Sequence, residues 1–142
     1  MEKLNEETRK VMEIRFGKDS IIGLATVNNG MPEVRNVDGY YEDGAFYVIT
    51  YALSNKMKQI EKNPNIAIAG DWFTAHGTGE NMGYFCKEEN KDMAEKLRKA
   101  FATWIDNGHN NFDDENTCIL RIQLIDGILF AHGKRYELDF TK

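Results

Sequence analysis

Cysteine is scarce in this chain, with only Cys86 and Cys118, which are far apart in sequence and lack the paired spacing of a zinc site. Buried, reduced thiols are therefore expected, in keeping with a cytoplasmic protein. Histidine is nearly as scarce. His76, His109 and His132 form no His-x-x-x-His or Glu-x-x-His pair, so no metal centre is expected. Each histidine is expected to be structural or hydrogen-bonded, with haem ligation reserved for one that borders a large pocket. The only serines are Ser20 and Ser54, and no Gly-x-Ser-x-Gly occurs, which removes the nucleophile elbow of a serine hydrolase.

Long apolar runs are missing as well. None approaches the ~20 residues needed to cross a bilayer, and the opening MEKLNEETRK is charged, without the apolar core of a signal peptide. A soluble protein that does not enter the membrane is expected. Basic charge is in deficit: 18 Lys and Arg stand against 23 Asp and Glu, for a net charge of -5. That balance argues against a nucleic-acid partner, which needs a basic face to displace counterions from phosphates. A local basic pocket remains open.

What is present reads as one domain over residues 1–142, a size that buries roughly 70% of its unfolded surface without a disulfide or metal staple. Residues 2–17 place Leu4, Val11, Met12, Ile14 and Phe16 at helical spacings, with Gly17 as the stop. Strands are expected over 21–27, 32–41 and 45–51, joined by the turns Asn29-Gly30 and Asp43-Gly44. A short helix over 54–63 ends at Pro64. Two glycine-interrupted strands, NIAIAGDWFTA and HGTGENMGYFC, follow. Residues 88–105 set Met93, Ala94, Leu97, Phe101, Trp104 and Ile105 on one helical stripe, as for a helix lying on a sheet. TCILRIQLI, a turn at Asp126-Gly127 and ILFAHGKRYELDF complete a last hairpin. About seven strands without βαβ alternation predict a mainly β fold, a small antiparallel barrel with helices packed outside.

GTGENMG (77–83) resembles a nucleotide loop only superficially. Met82 stands where the third glycine of G-x-G-x-x-G belongs, and the aromatic YFC follows where a helix should open. Glycines within a strand instead mark a bulge or a barrel corner.

The stretch ITYALSNKMKQIEKNP (49–64) carries two readings. In one, Ser54 is an N-cap accepting a backbone N–H two or three residues on, Lys56 is solvated surface charge and Arg35 is an exposed strand arginine. In the other, the open N–H groups and positive dipole end of the helix hold a phosphate. Thr50 and Ser54 would then donate hydroxyl bonds and Lys56 a charge, while Arg35, which shares a strand face with Val37, would supply a bidentate clamp.

Pro32-x-x-Arg35-x-Val37, then Gly44-x-Phe46-Tyr-Val-Ile-Thr50, then Ser54-x-Lys56-x-x-Gln59-Ile60-x-x-Asn63-Pro64 resembles the pyridoxamine 5′-phosphate oxidase-like, FMN-binding split-barrel family. The resemblance lies in order and spacing from about residue 20 to 85, and the general-stress branch is the nearest in character. It implies a split β-barrel, usually a homodimer, with FMN in a cleft at the subunit interface. Carried over by position, Arg35, Ser54 and Lys56 would grip the flavin phosphate, Thr50 would lie beside the ribityl chain or ring, and Val37 would line the isoalloxazine. Trp72 and Phe73, on the strand after Asp71, would border the ring from the same or the other subunit.

Two departures bear on the chemistry. Asn55 stands where pyridoxamine phosphate oxidases carry a second basic residue, and HGKRYELDF offers no secure match to their Arg-x-His substrate signature. The resemblance thus implies an FMN-dependent oxidoreductase acting on an unidentified small molecule, in which the flavin supplies hydride or electron transfer. The alternative is a flavin- or haem-binding or sensing protein on the same barrel, without turnover.

Overall fold

The computed structural model describes residues 1–142. A two-residue strand, β1 (Glu2–Lys3), precedes helix α1 (Glu6–Phe16). Asn5 opens the helix through a reciprocal cap: its side chain accepts the Thr8 N–H at 2.9 Å, and Thr8 Oγ1 accepts the Asn5 N–H at 2.9 Å. Met12 and Phe16, one turn apart, enter the core, whereas Ile14 faces solvent.

Strands β2 (Ser20–Asn28), β3 (Met31–Glu42) and β4 (Ala45–Tyr51) form the expected meander. Both connecting pairs, Asn29-Gly30 and Asp43-Gly44, have positive φ at each residue, as two-residue hairpin turns require. Helix α2 (Asn55–Lys62) leads to β5 (Asn65–Gly70) and β6 (Phe73–Tyr84). A single 3-10 turn (Glu88–Asn90) then opens α3 (Lys91–Ala100), and β7 (Thr117–Ala131) and β8 (Lys134–Asp139) finish the chain.

The sheet runs β1-β8-β7-β4-β3-β2-β5-β6, and β6 also pairs with β7, so β2 to β7 close into a six-stranded barrel. Every pairing is antiparallel except β1 with β8, which lie outside the closed ring. The period-two alternation of β7 divides the core. Leu120, Ile122 and Leu124 point into the barrel, while Ile119 points out against Phe85, Leu97, Phe101 and Ile105 beneath α3. No helix is long and apolar enough to cross a membrane.

Several boundaries differ from the sequence expectation. The β5–β6 hairpin turns at Asp71-Trp72, not near His76. Trp72 has φ 52° in that turn and is 70% exposed, whereas Phe73 is 2% exposed in the core. Gly77 does mark a bulge, since the β6–β7 register shifts between His76 and Gly77. The last hairpin turns at His132-Gly133, with φ of 55° and 70°, and Asp126-Gly127 lies within β7. Gly127 is there for close approach: a Cβ would stand 2.9 Å from the Phe73 ring and 3.0 Å from the Thr74 carbonyl oxygen. The last helix ends at Ala100, and Phe101 and Ile105 keep its apolar stripe through a turn-rich segment. Cys86 is exposed, contrary to expectation, and only Cys118 is buried.

One irregularity of the sheet positions the site. β3 pairs with β4 only over Tyr40↔Tyr47, Tyr41↔Phe46 and Glu42↔Ala45. Beyond that, residues 31–39 stay with β2, while β4 follows β7 as far as Tyr51↔Thr117. The barrel wall is split between them.

Candidate functional site

The split opens a cleft of about 380 Å³, within the size range of small-molecule sites. Val37 and Asp38 of β3 form one wall, and Val48, Ile49 and Thr50 of β4 the other. Lys56 enters from the first turn of α2, and Trp104, Asn107, His109 and Asn110 close the outer side. A roomier cleft of about 460 Å³ lies between the Asn29-Gly30 turn and the other flank of α2, but Val27 is its single apolar side chain. It offers no face for an aromatic ring.

At the head of α2, Ser54 has the extended backbone of an N-cap, yet its side chain makes no capping bond. The hydroxyl lies 3.5 Å from Lys56 Nζ instead, accepting from the ammonium. The capping role that would have made Ser54 unremarkable is unfilled, and the first N–H groups of α2 stay open, as at any uncapped helix start. Lys56 is half-buried and forms no ion pair. Burial pushes its pKa down, and the like charge of Arg35 pushes it further the same way. A half-buried cation with no ion pair and a second cation close by favours an anion that would restore its proton affinity.

Arg35 is neither a surface arginine nor a free clamp. Its Nη1 donates to Thr26 Oγ1 at 2.7 Å and to the Leu24 carbonyl at 3.1 Å, and its Nη2 reaches Gln59 Oε1 at 3.4 Å. Thr26, 1% exposed, donates to Gln59 Oε1 at 2.5 Å, and Gln59 Nε2 donates to Glu33 at 3.0 Å. Hydrogen bonds from Asn28 and then Gln59 hold the Glu33 carboxyl below its usual range. Arg35 thus ties β2, β3 and α2 together directly behind Lys56.

The structure brings Val37, Thr50 and Lys56 to one cleft, sets Ser54 at its edge and Arg35 behind it. It does not bring Trp72 or Phe73 there. Phe73 packs inside the barrel against Phe16 and Phe140, at centroid distances of 5.6 and 6.0 Å, and is closed to any ligand. Trp72 meets Phe130 edge-on beside the Arg15 side chain, which donates to the Asp71 and Phe130 carbonyls at 3.1 Å.

From the sequence, Gln59 reads only as part of the helix motif and Trp104 only as part of an apolar stripe, while Thr26, Asp38, Asp19 and residues 105–110 receive no role at the site. Gln59 carried a signal, standing one helical turn after Lys56. So did Thr26, a polar residue on the face of β2 that also carries Ile22 and Leu24. Nothing in the sequence announced that residues 104–110 would fold onto the split.

A barrel that opens between its third and fourth strands, with a cationic helix start at the gap, is matched by a family model described as pyridoxamine 5′-phosphate oxidase, over residues 5–126. The chain belongs to this family. Among solved structures, general stress protein 26 from Bacillus anthracis superposes with a TM-score of 0.67 at 18% identity, over 92% of this chain and 98% of that one. A FAD-binding protein from Mesorhizobium loti gives 0.65 at 16% identity, over 87% and 92%. A heme binding protein from Mycobacterium smegmatis gives 0.66 at 14% identity, over 87% of this chain and 54% of that one. At these identities the likeness is one of fold. Comparison with the curated proteins returns no match.

Proposed function

We propose that this family member is an FMN-binding flavoprotein, an oxidoreductase for a small molecule, with the flavin phosphate at the head of α2. The observation that carries the reading is Lys56: a half-buried ammonium that forms no ion pair, beside a serine hydroxyl that makes no capping bond, at the mouth of a cleft walled in part by Val37, Val48 and Ile49. Ser54 and Lys56 would hold the phosphate, together with the open N–H groups of α2. Thr50 would face the ribityl chain or ring, and Val37 and Val48 would give the ring an apolar wall. Arg35 would act from behind, fixing Gln59 and adding positive potential. When bound, the flavin supplies hydride or electron transfer; the chain orients it and limits its exposure to water.

The cleft is open along the split, and a homodimer would close it. Ile21 of β2, Met31 and Val34 of β3, Tyr51 at the end of β4 and Leu53 just after it are exposed apolar side chains on the elements around the gap. Such a patch favours a partner surface. In that arrangement Trp72 could approach a flavin only from the second subunit.

Titrating ligand-free protein with FMN, while following tryptophan emission and sedimentation, tests the reading. One FMN per chain in a dimer is expected. Quenching should survive Trp72→Phe in any arrangement that seats the ring in this chain's own cleft, because Trp104 lines it. Saturable haem binding lost in His109→Ala, with no FMN binding, would replace flavin by haem. His109 is the histidine on the cleft wall, whereas His76 pairs with Asp126 and His132 with Glu7. Failure to bind either ligand would withdraw both readings.

A further inference from the structure

Opposite the cationic end of the cleft lies a second group of side chains that phosphate binding leaves unused. Asp38 projects from β3 on the wall of the split, and Trp104 closes the same wall from the segment after α3. The Trp104 indole N–H donates at 2.9 Å to Oδ2 of Asp19, in the loop that leads into β2. The other oxygen, Asp19 Oδ1, is buried and has no hydrogen-bond partner. A buried acceptor left bare is costly, and natural structures rarely keep one. Asp38 faces Ile21 in the β2–β3 register, which sets it diagonally beside Asp19 on the same face, and two carboxylates so placed can bond each other only through a proton.

We propose that Asp19 and Asp38 share one proton, with Trp104 fixing Asp19, and that this pair is the proton-transfer group for a small molecule bound in the cleft. The shared proton supplies the donor that Asp19 Oδ1 lacks. On transfer, the O–H bond on the pair breaks, the proton moves to a basic oxygen or nitrogen of the bound molecule, and two carboxylates remain until solvent returns a proton. The other titratable groups facing Asp38 are Lys56 from α2 and His109 from the segment that carries Trp104. Burial first, then the hydrogen bond and charge of Asp19, push Asp38 up to about 6. Asp38 thereby keeps its proton to higher pH than an ordinary aspartate, as a proton donor working near neutrality requires. The transfer role deepens the flavoprotein reading, but the shared proton does not depend on a bound flavin.

The test uses ligand-free protein in a Trp72→Phe background, so that Trp104 emission alone reports the pair. Between about pH 4.5 and 8, emission should follow one transition near pH 6. It should vanish in Asp38→Asn, move to lower pH in Asp19→Asn and persist in His109→Gln. A flat profile overturns the proposal, and so does a transition lost in His109→Gln but kept in Asp38→Asn.

Proton delivery is read separately with a water-soluble carbodiimide and a small amine. That reagent takes the carboxyl proton onto its nitrogen as the carboxylate oxygen adds to its carbon. Peptide mapping at pH 6 should find Asp38 labelled several-fold faster than the exposed carboxylates Asp92 and Glu95. Equal or slower labelling overturns the transfer role. Circular dichroism of each variant separates these outcomes from misfolding, and failure of FMN to bind would remove the flavin reading without altering either result.

Discussion

Replacing Lys56 by methionine should lower FMN affinity while leaving the ligand-free protein as stable as before, or more so. The two signs follow from the same geometry. Lys56 is half-buried, forms no ion pair, and sits near Arg35. In the ligand-free protein its charge is thus an expense without a partner. Methionine keeps the unbranched stem and its packing while removing that charge. A hydrogen bond from the ammonium to a phosphate contributes about 1.5–3 kcal/mol, and ~1.4 kcal/mol is tenfold in affinity. Lys56→Met should therefore raise the FMN dissociation constant roughly 10- to 100-fold.

Fluorescence titration gives the affinity, and thermal melting without FMN gives the stability. The pH dependence supplies a further check on sign. A lysine whose pKa is lowered by folding costs stability while charged, and the cost fades as pH rises from that lowered value towards the ordinary ~10.4. Lys56→Met should lose that rise. The reasoning is refuted if FMN affinity stays within about threefold, or if melting falls by more than ~4 °C, a loss on the order of 1 kcal/mol or more. Either result would mean that Lys56 is surface charge or a structural prop.

Arg35→Ala should cost stability as well as affinity, on the order of 1–3 kcal/mol by chemical denaturation, since it strips a donor from buried Thr26 and frees Gln59; an unchanged midpoint would show the network to be idle. Gly77→Ala should destabilise more than Gly79→Ala. The new Cβ would meet the Gln123 carbonyl oxygen at 2.6 Å in the first case, and Ile60 Cγ2 at 2.9 Å in the second. Backbone yields less readily than a side chain, and overpacking costs roughly 1–3 kcal/mol, so equal urea midpoints would contradict the packing. A maleimide should modify one thiol of the native protein, exposed Cys86. Cys118, which burial pushes up to about 11, should react only after unfolding, as mass spectrometry would read directly.

The meander and α2 were legible because their signals are local: Asn-Gly and Asp-Gly turns, period-two apolar residues, and a proline closing the helix. The later hairpins were less so. Asp126-Gly127 reads as a turn, yet that glycine is dictated by the Phe73 ring across the β6–β7 pairing, a contact between residues 54 positions apart. The real turn, His132-Gly133, has no strong turn residue before its glycine. Phe73 and Trp72 show the same limit: the tight turn at Asp71-Trp72 shifts the boundary, so that one aromatic is buried and the other exposed. At the site, the Ser-x-Lys-x-x-Gln spacing found the cationic end. The carboxyl end needed three segments to converge, residues 19, 38 and 104, and no local pattern links them.

The two ends share a physical cause. Burial is the largest influence on both Lys56 and Asp38, lowering the pKa of the cation and raising that of the acid. Each is driven toward its neutral form. In a closed core, such groups would neutralise each other by pairing. Here Lys56 forms no ion pair: it enters the cleft from the head of α2, while Asp38 stands on β3 where that strand has left β4. A small, fully charged ion would satisfy Lys56 but add repulsion and desolvation at Asp38. A molecule with a concentrated negative charge at one end and a neutral, hydrogen-bonding ring at the other satisfies both. On the flavoprotein reading, that is the polarity a bound flavin would present to the split.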